Sequence, residues 1–482
     1  MKKIFLILLA LIPFWGIAQN INDVYNIAST YYQGTAKSTA MGNAMGAVGQ
    51  DFSSLSINPA GLGLYRKPTI EFTPSIKTSY AKTDYYGNTT TNSQATMAVN
   101  SFGIVGINNS GENVINWAFG MNRTNDFSNA IFVNGINPHH SLIDAYFQEI
   151  IANDIYNEEQ LYEYSPSYIY PIWETYLFDF NNDGSLTAYV PEGGLLQSKG
   201  TNTRGGINEW TISTSINFSD KVYLGASINM PSVNYRKLTE YAEDFKIDNE
   251  YYSWAQYESL TTTGWGLNGK IGIIAYPCQW LRVGATFHTP TVYNLSDRWR
   301  TETYSWVTQY NIPTSYFNYS MKTPWKLGGS AAFIFGNFGM ITADVEYIDY
   351  SSIRLSAYNY DYSSYNDMVQ STLKPSMNLR LGTEWRYQSM CFRGGYSFYG
   401  SPYGIKLNDG YYNYNNRNAL SCGIGYTQHM FTIDLAYVYT LQKSSYNLYS
   451  QYTSYYDMLE EQNVVYERSN FHSMIVSLKM KL

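Results

Sequence analysis

The sequence predicts an all-β protein, a 14-stranded antiparallel transmembrane β-barrel, from three observations. Apolar and polar residues alternate one by one through fourteen segments. Tight turns and long connections join these segments in strict alternation. No apolar run beyond the first twenty residues approaches the length of a membrane helix. Composition agrees: 17% of residues are aromatic, 49 are tyrosine and only 14% are charged. The mean hydropathy is −0.31, which a wall exposing only alternate residues to lipid tolerates. A formal charge of −7 argues against a nucleic-acid partner. Cys278, Cys391 and Cys422 are an odd set without metal-ligand spacing and read as unpaired, and no cofactor is expected.

Taken in chain order, residues 1–18 read as a signal peptide, with Lys2 and Lys3 before an apolar run and small residues at Gly16 and Ala18. Residues 19–66 are rich in Gly, Ala and Ser and end in "SSLSINPAGLGLYR", where Pro59 fixes φ and biases Asn58 to an extended shape. The barrel is expected over 67–482. Its strands are placed near 68–80, 95–107, 114–124, 207–218, 222–235, 262–275, 281–290, 323–335, 338–350, 376–387, 391–400, 417–427, 430–441 and 470–482. The short turns, such as "SDK", "GN" and "QH", belong in the periplasm with both termini, and the long connections outside, the largest near 125–206. The last strand is expected to close the ring on the first, with Glu71 facing Lys479 or Lys481.

Within strands the faces separate. Trp210, Ile212, Ile216 and Phe218 alternate with Glu209, Thr211, Ser213, Ser215 and Asn217. By the same count Arg282, His288, Asp344, Glu346, Arg380, Glu384, Arg386, Arg393 and Asp434 point into the lumen, with acid beside base on neighbouring strands. They form either a structural network or a grip on a ligand carboxylate, which one guanidinium can hold at two points.

The outer connections are rich in tyrosine, as in "YNEEQLYEYSPSYIYPIWETYLF", "EYYSWAQYESL", "AYNYDYSSYND", "NDGYYNYNN" and "YNLYSQYTSYYDM". In the largest, Leu142, Ile143, Tyr146, Phe147, Ile150 and Ile151 recur at helical spacing, behind a capping box of Ser141 and Asp144. This helix either captures an apolar ligand or seals the barrel mouth. The run "DFNNDGS" begins like a calcium loop, but Val190 stands where an EF-hand needs Glu, so a polar turn is expected. His139 and His140 are adjacent and point different ways, a weak basis for a haem site. Neither a G-x-S-x-G elbow nor an H-E-x-x-H helix is present, and no enzymatic activity is expected.

The small-residue N-terminal segment ending in Asn58, Pro59 and Ala60, immediately before the first strand, resembles the FadL/TodX family of outer-membrane transporters. So do "GWGLNGKIGIIAYPCQWLRVGATFHTPT", "GMITADVEYIDYSS" and "FRGGYSFYGSPYG". The resemblance implies that residues 19–66 form a hatch, or plug, inside the barrel, with Asn58–Ala60 near a gate. It implies passive uptake of a hydrophobic small molecule, such as a long-chain fatty acid, through an internal site and a lateral exit. It further implies a monomer in the outer membrane of a Gram-negative bacterium, in contact with outer-membrane lipid and inserted by the barrel-assembly machinery. The competing expectation is a surface binding or adhesion protein, or a haemin receptor, acting through the tyrosine-rich loops.

Overall fold

A computed structural model describes residues 21–110, 113–165, 168–403, 416–449 and 463–482. Its wall consists of fourteen strands: β1 (Thr69–Tyr85), β2 (Asn88–Ser110), β3 (Asn113–Asp126), β4 (Leu195–Phe218), β5 (Val222–Ile247), β6 (Glu250–Cys278) and β7 (Leu281–His288), then β8 (Lys326–Phe335), β9 (Gly339–Asp349), β10 (Pro375–Tyr387), β11 (Met390–Tyr399), β12 (Arg417–Gln428), β13 (Phe431–Asn447) and β14 (Val464–Lys481). Each pairs antiparallel with the next, and β14 pairs with β1, so the ring closes and leaves no edge strand in lipid. All fourteen lie where the alternation places them.

The closure has the expected chemistry. Glu71 stands opposite Lys479 in the β1–β14 register, and their ion pair is 2.5 Å long, with Tyr65 donating to the same carboxylate at 2.8 Å. Truncating one partner of a buried pair leaves the other charge stranded, at a cost of about 3–5 kcal/mol. Lys479→Met is therefore expected to lower the barrel's urea midpoint in detergent, and adding Glu71→Gln should recover most of the loss. Two additive losses would mean that the pair does not hold the seam.

Outward-facing apolar side chains form a band: Phe72, Ile76, Ile212, Ile228, Ile271, Ile341, Leu420, Leu435 and Leu478 are all exposed. An exposed apolar surface of this extent suits lipid rather than water. Stacked rings mark its lower edge, Trp280 on Phe333 and Phe335 on Trp385, and Trp325 beside Phe287 and Tyr347 marks the upper one. From Phe335 to Trp325 is ten residues, about 25 Å of height at a tilt of about 40°, which matches the band of a membrane barrel. Among the described residues no helix is long and apolar enough to cross a membrane.

Above the band the strands run further than their alternation suggests. The connections expected near 81–94 and 236–261 are tall hairpins. β1 and β2 meet at a turn with Tyr86 and Gly87 at positive φ, and β5 and β6 meet at one with Asp248 and Asn249 at positive φ. Both have the geometry of a two-residue hairpin turn matched to strand twist. The tyrosine-rich stretch "EYYSWAQYESL" is thus part of β6, with Trp254 fully buried.

The connection expected over 125–206 is also shorter and more ordered. Strand Asn129–Asn137 pairs with the upper part of β4, and between them lie two-stranded Phe178–Phe180/Leu186–Ala188 and three helices. In chain order the helices are α1 (Ile21–Ala28), α2 (Ala36–Ala40), α3 (Leu142–Ala152), α4 (Glu158–Tyr164), α5 (Tyr170–Glu174) and α6 (Ser363–Thr372). All but the last residue of "NDGYYNYNN" and most of "YNLYSQYTSYYDM" lie outside the described residues, as does the expected signal peptide.

Candidate functional site

Residues 21–65 are nearly all buried, and their bonds run to inward-facing side chains around the ring. Ala36 N donates to Ser477 of β14, Gly46 N to Asp344 of β9, and Phe52 N to Glu71 of β1. In return Asn116 of β3, Lys270 of β6 and Ser397 of β11 donate to backbone carbonyls of the segment. Small residues let this backbone run close to the wall, and polar wall residues replace the water its amides would otherwise need.

Asn58 caps a short 3-10 turn, Pro59–Leu64, accepting from Ala60 N at 3.0 Å. Its amide donates to Gly46 O at 2.7 Å and to Ile273 O of β6 at 3.2 Å. Two wall glycines admit this turn. Gly225 and Gly272 face each other across β5 and β6; a Cβ on Gly272 would lie 1.9 Å from Asn58 Oδ1, and one on Gly225 2.3 Å from Ala60 N. Asn58, Pro59 and Ala60 therefore sit in a notch cut into the wall by missing side chains.

Each of the charged and polar residues singled out in the sequence touches a neighbour around this segment. Arg380 donates to Glu346 at 2.8 Å and lies 5.0 Å from the Tyr32 ring, while Asn378 donates to the same carboxylate. Arg393 bridges Glu384 (2.7 Å) and Asp434 (2.6 Å), and Arg386, beside the short β10–β11 turn at the lower end, closes on Glu384. Arg282 stacks on Tyr276 and donates to Val48 O. His288 donates from Nε2 to Ile57 O at 2.9 Å. These arginines are committed to protein partners.

Arg417, on β12, has no such acid. It is buried, with its guanidinium 4.3 Å from the Tyr31 ring and 5.2 Å from the Phe471 ring, and no ion pair reaches it among the described residues. Tyr31 donates to or accepts from Tyr25 at 2.8 Å, and Tyr25 belongs to a large buried apolar cluster. That cluster joins α1 and α6 to the inner faces of the upper strands through Ile207, Tyr235, Leu260, Tyr293, Tyr319 and Val369. Sequence reasoning passed over Arg417 because it opens a strand beside the outer connection. The register supplies the missing signal, since its neighbours are Tyr399 and Gln442, neither of them acidic.

Below the cluster a cavity of about 40 Å³ is lined by Ile27, Tyr32, Pro231, His288, Thr289 and Pro324, among others. The wall beside it loses backbone ladder bonds on three strands. β5 and β6 pair from Asn229 and again from Ser232, skipping Met230 and Pro231. β7 stops at His288, and its line resumes as Val292–Tyr304 after Pro290; Ser315–Lys322 leads into β8 across Pro324. Proline cannot donate to a ladder. Threonines bridge the interruptions: Thr289 Oγ1 accepts from Gly269 N and Thr323 Oγ1 accepts from Thr291 N, each at 2.9 Å, while Thr289 N and Thr323 N donate back to Gly269 O and Thr291 O.

Over the mouth lies α3. The Ser141–Asp144 capping box is present, with both reciprocal bonds. Leu142, Ile143, Tyr146 and Ile150 are buried in a second apolar cluster, and Phe147 packs against it edge-on to Phe178. Ile151 departs from the expected face: it is 64% exposed, because the last helical turn carries it round to solvent. The start of α3 is held by Glu243 of β5, which is fully buried and accepts five neutral donors: Ser141 Oγ, Leu142 N, Gln197 Nε2, Tyr241 OH and Trp254 Nε1, all at 2.7–2.9 Å. Sequence alone gives no hint of it, since the donors come from four separate segments.

Burial pushes the Asp144 carboxyl up to about 6, against the opposing pull of Ser141 N and His140. Docked α3 thus binds this proton more tightly than undocked chain does. Docking is fully favoured below about pH 4 and weakens as pH rises through about 6. Amide exchange across α3 should accelerate between pH 4 and 7 beyond its chemical dependence, and Asp144→Asn should abolish that increment; an unchanged increment would refute it.

The oxygens of "DFNNDGS" are taken by protein donors: Asp179 accepts from Trp173 and Phe180 N, and Asp183 from Ser185. Among the described residues no group of three or more His, Cys, Asp or Glu side chains is arranged to hold a metal. His140 Nδ1 lies 4.0 Å from Asp144, its ring tilted 47° from that of His139.

No protein-family model and no curated protein matches the chain. Solved structures do match. A FadL homologue of Pseudomonas aeruginosa aligns over 94% of this chain and all of its own, at a TM-score of 0.54 and 12% identity. The toluene transporter TodX of P. putida aligns over 94% and 99%, at 0.53 and 12%. The toluene transporter TbuX of Ralstonia pickettii aligns over 93% and 98%, at 0.50 and 12%. The chain thus shares the fold of these barrels along nearly its whole length.

Proposed function

We propose that this protein is an outer-membrane channel of the FadL/TodX type, through which hydrophobic molecules pass passively. The observation that carries this reading is the buried aromatic and apolar cluster across the upper barrel, continuous with α1 and lying between a capped mouth and a notch-seated N-terminal segment. The fold likeness to the toluene transporters TodX and TbuX supports the same reading. In it, residues 21–65 act as the plug, with Asn58–Ala60 at its base. α3 covers the entry. The lateral exit is assigned to Pro231, Pro290 and Pro324, where regular strand pairing is interrupted and single backbone bonds with threonine hydroxyls bridge the gaps.

Long-chain fatty acids fit best among hydrophobic ligands, because Arg417 offers a buried guanidinium between rings at the cluster's edge, ready for a carboxylate. Arg417→Gln is expected to reduce oleate binding by about tenfold or more, the loss of one charge-assisted contact, while leaving binding of a hydrocarbon of equal length unchanged. Equal losses for both ligands would sink the assignment of Arg417. The overall reading is tested by mass spectrometry of lipid extracts from protein purified in mild detergent. A stoichiometric apolar compound is expected, and its absence under several detergents would contradict the proposal. Tyr146, Tyr241 and Tyr365 are buried in packing while Tyr162, Tyr251 and Tyr358 are displayed, so the adhesion reading is separated by measured uptake and not by burial.

A further inference from the structure

Two stretches of the barrel wall, separated on one side by β2 and β3, carry rows of cations at one height. On β13, β14 and β1, Lys443, Arg468 and Lys82 stand directly side by side on the outward face. They lie three outward rows above Tyr437, Met474 and Ile76 of the apolar band and one row above Leu441, Asn470 and Tyr80. Further round the wall, Arg204 of β4 stands opposite Arg236, and Arg236 and Arg298 flank Thr261 of β6. That row is again three above an exposed apolar pair, Leu267 and Val292. Five of these cations are fully outside the ion pairs found among the described residues, and Arg204 faces only an amide. Like charges directly opposite each other on adjacent strands repel. Two such rows at matched height, in a chain whose net charge is negative, call for an anion from outside the protein.

The surroundings indicate which one. Six residues is about 20 Å along a strand, or about 16 Å of height at the usual tilt. This level is above the hydrocarbon, in the headgroup layer. Between Arg298 and the apolar band lies an open groove of about 600 Å³, lined by Trp265, Asn294, Ser296, Asn318, Ser320 and Tyr358. Amides and hydroxyls around two exposed aromatic rings suit a sugar, with its ring faces on the aromatics and its hydroxyls on the polar side chains.

We propose that the collar binds the phosphorylated sugar headgroup of an outer-leaflet glycolipid. Phosphates meet Arg236 and Arg298 on one stretch and Lys82, Arg468 and Lys443 on the other. The sugar occupies the groove, and the acyl chains lie down the band over Leu267, Val292 and Ile271. This inference rests on the outer-membrane placement proposed above and is independent of transport; cell fractionation tests that placement separately.

The test uses the full-length protein in detergent with a bisphosphorylated, acylated diglucosamine, its dephosphorylated counterpart, phosphatidylglycerol vesicles and inorganic phosphate as probes, with binding read by native mass spectrometry and titration. The bisphosphorylated glycolipid is expected to bind at least tenfold tighter than any other probe. Arg236→Gln with Arg298→Gln, or Lys82→Gln with Arg468→Gln, should each weaken it about tenfold, and affinity should fall with salt. Arg236→Lys with Arg298→Lys should retain most binding. Heat-modifiable gel migration checks that each variant is folded. Equal binding of the dephosphorylated probe, of phosphatidylglycerol or of inorganic phosphate, or wild-type affinity in both folded Gln pairs, would overturn the proposal.

Discussion

Gly272→Val is expected to drive the Asn58–Ala60 turn out of its notch and turn a tight barrel into a leaky one. The new side chain begins 1.9 Å from Asn58 Oδ1, and its neighbour across the pair, Gly225, leaves no slack because Pro59 and Ala60 already lie against it. The clash is with a capping amide that holds both Gly46 and Ile273, so relief requires the segment to shift as a unit. Overpacking of this kind costs on the order of 1–3 kcal/mol, enough to repopulate a marginal docking equilibrium. In planar bilayers the variant should show ion conductance absent from the wild type, with greater protease access to residues 21–65. Gly329→Ala, on β8, is the control, since nothing lies within 4 Å of its added Cβ. Conductance equal to wild type in Gly272→Val would show that the notch does not hold the segment.

The second large effect is expected at Glu243. Alanine there strands five buried donors, and each unsatisfied buried polar group costs about 1–3 kcal/mol. The barrel below should survive, because its ladders do not depend on this residue. The cap should not: chymotrypsin is expected to cut within 142–190 at least tenfold faster, and amide protection of α3 should vanish. Glu243→Gln keeps one acceptor but turns an amide toward the other donors, so an intermediate effect follows. Unchanged cleavage in Glu243→Ala would mean that the apolar cluster alone docks α3.

How much of this was legible in the sequence follows from where water lies. Below the membrane's outer edge each strand has one face in lipid and one in the lumen, so its residues alternate and its limits can be read. Above that edge the outer face of "TDYYGNTTTNSQ" meets water and its inner face is mostly Thr, Asn and Gln with only Tyr85 buried in apolar packing, so the contrast fades and the tall β1–β2 hairpin looks like a loop. The β5–β6 hairpin was hidden for the opposite reason: its inner face packs against aromatic loop residues, so Trp254 and its neighbours looked like loop decoration.

Pairwise chemistry was legible wherever strand order fixed the neighbours. Glu71 meets Lys479, and Asp344 stands opposite Arg380. The helix α3 was readable from its spacing, except at Ile151, where the stripe drifts off the buried face in the final turn. Glu243 and Arg417 were not readable, because the role of each depends on what surrounds it in space: five donors for one, and the lack of an acid for the other. The notch is an intermediate case. Asn58–Ala60 stood out by position, but its receptor, Gly225 and Gly272, looks like ordinary strand glycine until the register places them face to face.

Uptake of labelled oleate by cells lacking the gene, compared with the same cells carrying it, tests the channel reading most directly. Restored uptake that needs no energised membrane, is lost with Arg417→Gln, and leaves surface adhesion unaltered is the predicted result. Uptake that is unchanged by deletion, together with a loss of surface adhesion, would contradict it.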